Sequence, residues 1–168
     1  MNAISKLKIE KEVARLDGFI SGVVTLNGKI RDYTAFSYVI DLKDDDFSIE
    51  RSLKEHFSWL PSLNFSNVQR LEYGLRDLEV EIRPFLLMER PNLKDGNFVD
   101  LRRYLSFRIM EIITAAIDGT KVIDVVMAIA DPEPSSTKSV FFCIRMEAVL
   151  IVLQFNDDVE FKRSLASP

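Results

Sequence analysis

Few residues in this chain are able to do chemistry. His56 is the only histidine and Cys143 the only cysteine. A nucleophile–His–acid arrangement would need His56 beside Cys143 or a serine, yet no serine lies in a G-x-S-x-G elbow. One His and one Cys, far apart and without a companion motif, do not make a zinc set. Neither a G-x-x-x-x-G-K-[ST] phosphate loop nor a G-x-G-x-x-G fingerprint occurs. His56 therefore reads as a partly exposed helix histidine. Cys143, set in an apolar run, reads as a small buried hydrophobe. The sequence assigns no catalytic residue, no metal and no organic cofactor.

Carboxylates are more plentiful. The stretch "DLKDDDFSIE" places Asp41, Asp44, Asp45, Asp46 and Glu50 together, against Lys43. Three consecutive aspartates could offer oxygens to Mg²⁺ or Ca²⁺, but the spacing is not that of an EF-hand loop and the central glycine is missing. A solvated acidic turn ahead of a helix explains them better, because negative charge is favoured at the positive end of the helix dipole. Asp46 or Ser48 then caps that helix. If the chain binds a partner, Asp44, Asp45, Asp46 and Glu50 form the first candidate surface, with Trp59 on the following helix as an aromatic anchor. A glycosidase-type carboxylate pair would require two such groups to converge in a cleft, and no pair stands out.

Arg145 and Glu147 interrupt the most apolar stretch, "SVFFCIRMEAVLIVLQFN". Arg145 is expected to pair with a carboxylate at the edge of the core, since buried charges persist only when paired. The functional alternative is that it anchors an anionic ligand or an acidic side chain of a partner. Arg145 and Glu147 make the second candidate surface. They also mark a bend, a strand-to-strand turn or a cleft rim. A membrane span is excluded for this run, because it is short and charges split it.

The elements that must position these groups follow from periodicity. Asn27-Gly28 lies between two β-rich runs and suits a two-residue type I′ turn, which predicts an N-terminal β-hairpin. Its second arm puts Phe36, Tyr38, Ile40 and Leu42 on a core face and leaves the other face wet. Ahead of it, Ile4, Leu7, Val13, Ala14 and Leu16 allow a short helix ending before Gly18. Ile49, Leu53, Phe57 and Leu60 recur at helical spacing up to Pro61. Ser66 with Gln69 resembles a capping box, so a helix is expected over the first part of this segment, while the alternation of "LEVEIR" leaves helix and extended chain both open after about Asp77. Phe98, Leu101, Leu105, Ile109, Ile112 and Ala116 form one stripe of a long helix stopped at Gly119. Strands are expected over 29–42, 121–130 and 139–155, with both faces covered from Val149 to Leu153. The sum is an α+β domain over residues 1–168: an N-terminal hairpin, central helices, and C-terminal apolar strands in a mostly antiparallel sheet covered by helix.

Composition narrows function. The net charge of −4 over 168 residues opposes non-specific nucleic-acid binding. The N-terminus carries charges throughout and lacks the apolar core of a signal peptide. A single cysteine fits a reducing compartment, so a cytoplasmic protein with no membrane partner is expected. The leading reading is a non-enzymatic protein-binding module, such as an immunity protein or inhibitor neutralising a basic toxin or nuclease, because complementary charge speeds encounter. The alternatives are a carboxylate-based hydrolase, with or without a divalent metal, and a small-ligand sensor or secretion chaperone. Nothing in the sequence specifies an oligomeric state.

Overall fold

The structure, a computed structural model, describes residues 3–25, 34–42, 48–57, 63–86, 96–132 and 138–157. The chain order is α1 (Ala3–Thr25), β1 (Thr34–Asp41), α2 (Ile49–His56), β2 (Leu63–Arg70), α3 (Leu75–Glu81), α4 (Arg83–Leu86), α5 (Gly96–Ile117), β3 (Asp124–Pro132), β4 (Lys138–Arg145) and β5 (Val149–Asp157). The strands make one antiparallel sheet in the order β1-β5-β4-β3-β2. The expected α+β architecture, an antiparallel sheet covered by helix, is what the chain adopts.

The apolar stretch of β4 and β5 forms the middle of the sheet. Met146 N–H donates to the Val149 carbonyl at 2.9 Å and closes a turn over Glu147 and Ala148. Val149, Ile151, Leu153 and Phe155 enter a core beneath α1, α3, α4 and α5. Their neighbours Leu150 and Val152 enter a second core beneath α2. Residues Val149 to Leu153 are all fully buried, as expected of an interior strand covered on both sides. Among the described residues, no helix is long and apolar enough to cross a membrane.

The N-terminal hairpin is corrected. Asn27-Gly28 lies outside the described residues, but its first arm is helix: α1 runs on through Gly18 and Gly22 to Thr25. The reason is the stripe Ile9, Val13, Leu16, Ile20, Val23 and Val24, buried along its whole length. Each helical glycine costs about 1 kcal/mol, whereas each buried Ile or Val returns about 1.5–3 kcal/mol, so packing wins. β1 pairs with β5, not with a neighbouring arm. Its second face is not wet at Ala35 and Ser37, which are buried against α1, whereas Phe36, expected on the core face, is exposed.

The capping-box reading at Ser66 is also corrected. Residues 63–70 form an edge strand with a register shift between Phe65 and Asn67. The apolar steps of three and four become a helix only from Leu75, where Leu78, Ile82 and Leu86 are buried. Of the two conformations open after Asp77, the structure has helix as far as Leu86. Gly74 is the hinge between strand and helix, with φ of 57°, a value that L side chains rarely adopt. Pro84 sits in the first turn of α4, where its missing N–H is tolerated.

The long helix α5 matches its stripe: Leu105, Ile109, Ile112 and Ala116 are buried, and Gly119 at φ 74° follows its end. Leu101 departs from it and is exposed. Lys8, near the start of α1, reaches Asp118, just past α5, at 2.9 Å, so these two packed helices run in opposite directions.

Candidate functional site

Of the residues singled out from sequence, Asp44, Asp45, Asp46 and Trp59 lie outside the described residues. Glu50 is exposed in the first turn of α2. The cap of that helix is Ser48, whose hydroxyl accepts from the Arg51 N–H at 3.4 Å. Arg145 ends β4 and Glu147 is exposed in the β4–β5 turn, so the strand-to-strand turn is the correct choice for that pair. Arg145 stands opposite Asp124 in the β3–β4 register. Asp124 in turn is held by Arg70 Nε at 2.7 Å. A carboxylate with a guanidinium bound to it and another across the ladder thus marks one end of the sheet.

His56 and Cys143 belong to the face under α2. The His56 ring stacks on Tyr38 with centroids 4.8 Å apart and meets Phe57 edge-on. Desolvation holds the His56 pKa below its ordinary value. Cys143 is fully buried, and burial pushes its thiol well above the usual range. Such a thiol stays protonated at neutral pH and is a poor nucleophile. The Tyr38 phenol is likewise pushed up, by burial first and by Cys143 second; its hydroxyl donates to Gln154 Oε1 at 3.1 Å. Gln154 passes the chain to Asn156 Oδ1, which also accepts from Ser139 Oγ. These polar groups satisfy one another and stitch β1, β5 and β4 together. Among the described residues, no group of three His, Cys, Asp or Glu could hold a metal ion.

The surface that sequence reasoning missed is on α5. Leu101, Tyr104 and Phe107 follow one another at steps of three and are 44%, 59% and 54% exposed. Residues three apart are neighbours on a helix surface, so the three side chains form one continuous ridge. The signal was visible in the sequence: Tyr104 and Phe107 fall out of phase with the stripe Leu105, Ile109, Ile112 and Ala116. Phe107 continues into a shallow depression lined by Met110, Glu111, Ala115, Lys8 and Asp118. Arg103 and Glu111 flank Phe107, four positions before and after it, both exposed; Glu111 is bridged to Arg108 within the helix. An apolar ridge with charges beside it can hold a complementary protein surface. Comparison of the chain with protein-family models, curated proteins and solved structures finds no match.

Proposed function

We propose that this protein is a non-enzymatic protein-binding module whose binding surface includes the solvent face of α5. The observation that carries the reading is the exposed ridge of Leu101, Tyr104 and Phe107. Contiguous apolar surface is limited on proteins that act alone and marks interaction sites when present. Tyrosine on such a surface is typical of interface anchors, combining large contact area with a polar tip. The narrower form of the reading is an inhibitor or immunity protein for a basic toxin or nuclease. It draws on the net charge of −4 and the acidic run from Asp44 to Glu50. A cytoplasmic setting goes with it, since the lone thiol is buried and forms no disulfide.

Co-purification tests the reading, with the native chain compared against the double variant Tyr104→Ser, Phe107→Ser. Both positions are exposed, so the variant should keep its circular dichroism spectrum. A protein that accompanies the native chain and is lost from the variant supports an α5 binding face. A partner retained equally by both places recognition elsewhere and removes this reading of α5.

A further inference from the structure

We infer that the partner seated on the α5 face is a second copy of this chain, packed helix against helix about a two-fold axis through Phe107. This rests on the reading that α5 binds protein, and it names the occupant. A two-fold interface must be self-complementary: if one residue meets another across the axis, the reverse contact is made as well. In an antiparallel pair centred on Phe107, a residue near the seam faces the one equally far along on the other side of the centre. Phe107 then meets its own copy. Tyr104 and the half-buried Met110 lie on opposite flanks of Phe107 and widen the apolar seam on either side. Arg103 meets Glu111, and the same pair forms twice. Phe107 falls at the centre and the opposite charges at equal distances either side, as a self-complementary interface requires. The bridge from Glu111 to Arg108 does not prevent this, because an ionised carboxylate accepts at about four lone-pair sites. The charge pattern of α5 is complementary to itself, and no second sequence is needed to satisfy it.

Sedimentation velocity on the full chain, over about 1 to 500 µM, tests the inference across the affinity range of weak to moderate complexes. The expected result is a concentration-dependent monomer–dimer equilibrium. Phe107→Glu should leave monomer throughout. Arg103→Glu alone should weaken dimerisation by about tenfold or more, because it sets like charges opposite each other twice. Arg103→Glu combined with Glu111→Arg should restore the native association constant, which no general surface effect would do. Circular dichroism and melting curves of each variant confirm that the fold is kept. A native chain that is monomeric at every concentration overturns the inference, as does a dimer that survives Phe107→Glu or a double reversal that fails to restore it. If the chain stays monomeric and yet captures another protein through Tyr104 and Phe107, the second-copy assignment falls while the binding-module reading stands.

Discussion

Strand β1 ends the sheet beneath a helix, whereas β2 ends it in water. On the β1 side, α1 lies close enough for its side chains to complete the outward backbone groups: Asp17 Oδ1 accepts from the Ser37 N–H at 2.6 Å, and Ser21 Oγ donates to the Ala35 carbonyl at 3.2 Å. On the β2 side, Asn64, Ser66, Asn67, Val68, Gln69 and Arg70 are all exposed. Among the described residues, no helix takes up the edge there. The register shift between Phe65 and Asn67 bends it, and polar side chains make it unattractive to another strand. An open edge is a template for unwanted pairing, and covering, kinking and polar composition are alternative defences. The chain spends its aliphatic residues on the covered edge and its amides and hydroxyls on the open one. With both edges guarded, association through the ridge on α5 need not compete with strand pairing.

Breaking the covered edge should have the largest effect. Ile20 is fully buried between α1 and the sheet, so Ile20→Ala should cost about 2–5 kcal/mol in urea unfolding. The matched change at the open edge is Val68→Ala, where the side chain is 41% exposed. It should stay within about 0.5 kcal/mol. Equal costs would abolish the distinction between the two edges.

A more selective break removes the acceptor alone. Asp17→Ala leaves the Ser37 N–H at a part-buried site without its side-chain acceptor, and should cost about 1–3 kcal/mol. Hydrogen exchange should show Ser37 losing protection ahead of residues in β4. Asp17→Asn keeps an oxygen at that position and should recover most of the loss. A Ser37 amide equally protected in Asp17→Ala would show that the helix shields the edge by bulk and not by this bond.

The smallest effect concerns pH and also falls on the β1 side, where His56 stacks on Tyr38. Desolvation lowers the His56 pKa in the folded chain. Between that lowered value and the unfolded value of about 6.5, the unfolded chain binds more protons. Stability therefore rises with pH through this window, and is lost as pH falls from about 6.5. Urea midpoints over about pH 5 to 7 should show a shallow slope, and His56→Gln should flatten it. An unchanged slope would assign the dependence to other groups.

Residues in strong, locally consistent environments were legible in the sequence. Val149 to Leu153 could only be interior, because both alternate faces are apolar. The stripe from Leu105 to Ala116 kept helical phase over several turns, and Gly119 ended it. Misreadings fell where tertiary contact overrode local pattern. Asn27-Gly28 and the β-rich run before it suggested a hairpin, yet Ile20, Val23 and Val24 gained more by extending a helix onto the sheet. Ser66 and Gln69 looked like a capping box because an exposed edge strand carries no buried face to impose a period of two. Gly74 seemed to interrupt a helix and instead begins one. The candidate site was less legible than the fold. The sequence offers a turn at Arg145 and Glu147 among other options, but its periodicity puts Leu101 in the buried stripe, whereas the side chain is exposed. The ridge that it forms with Tyr104 and Phe107 depends on how far α5 rolls over the sheet, and that roll is set by α1 and α4.

The order of the strands has a consequence for the chain as it is made. Thr34 and Asn156, joined by a side-chain hydrogen bond of 3.0 Å, are 122 residues apart in sequence. At about 5–20 residues per second, β1 leaves the ribosome roughly 6 to 24 s before its partner β5. Throughout that interval α1 carries Ile9, Val13, Leu16 and Ile20 with no sheet to receive them. The latest of the described strands are the most local pair: β4 and β5, joined through Glu147 and Ala148, can pair within about 10 µs of emergence. The nascent protein thus accumulates an apolar helix early and gains its organising hairpin only after the other described elements. A chain stopped before Val149 would have no strand for β1 to join, and would present those early apolar residues to chaperones and proteases.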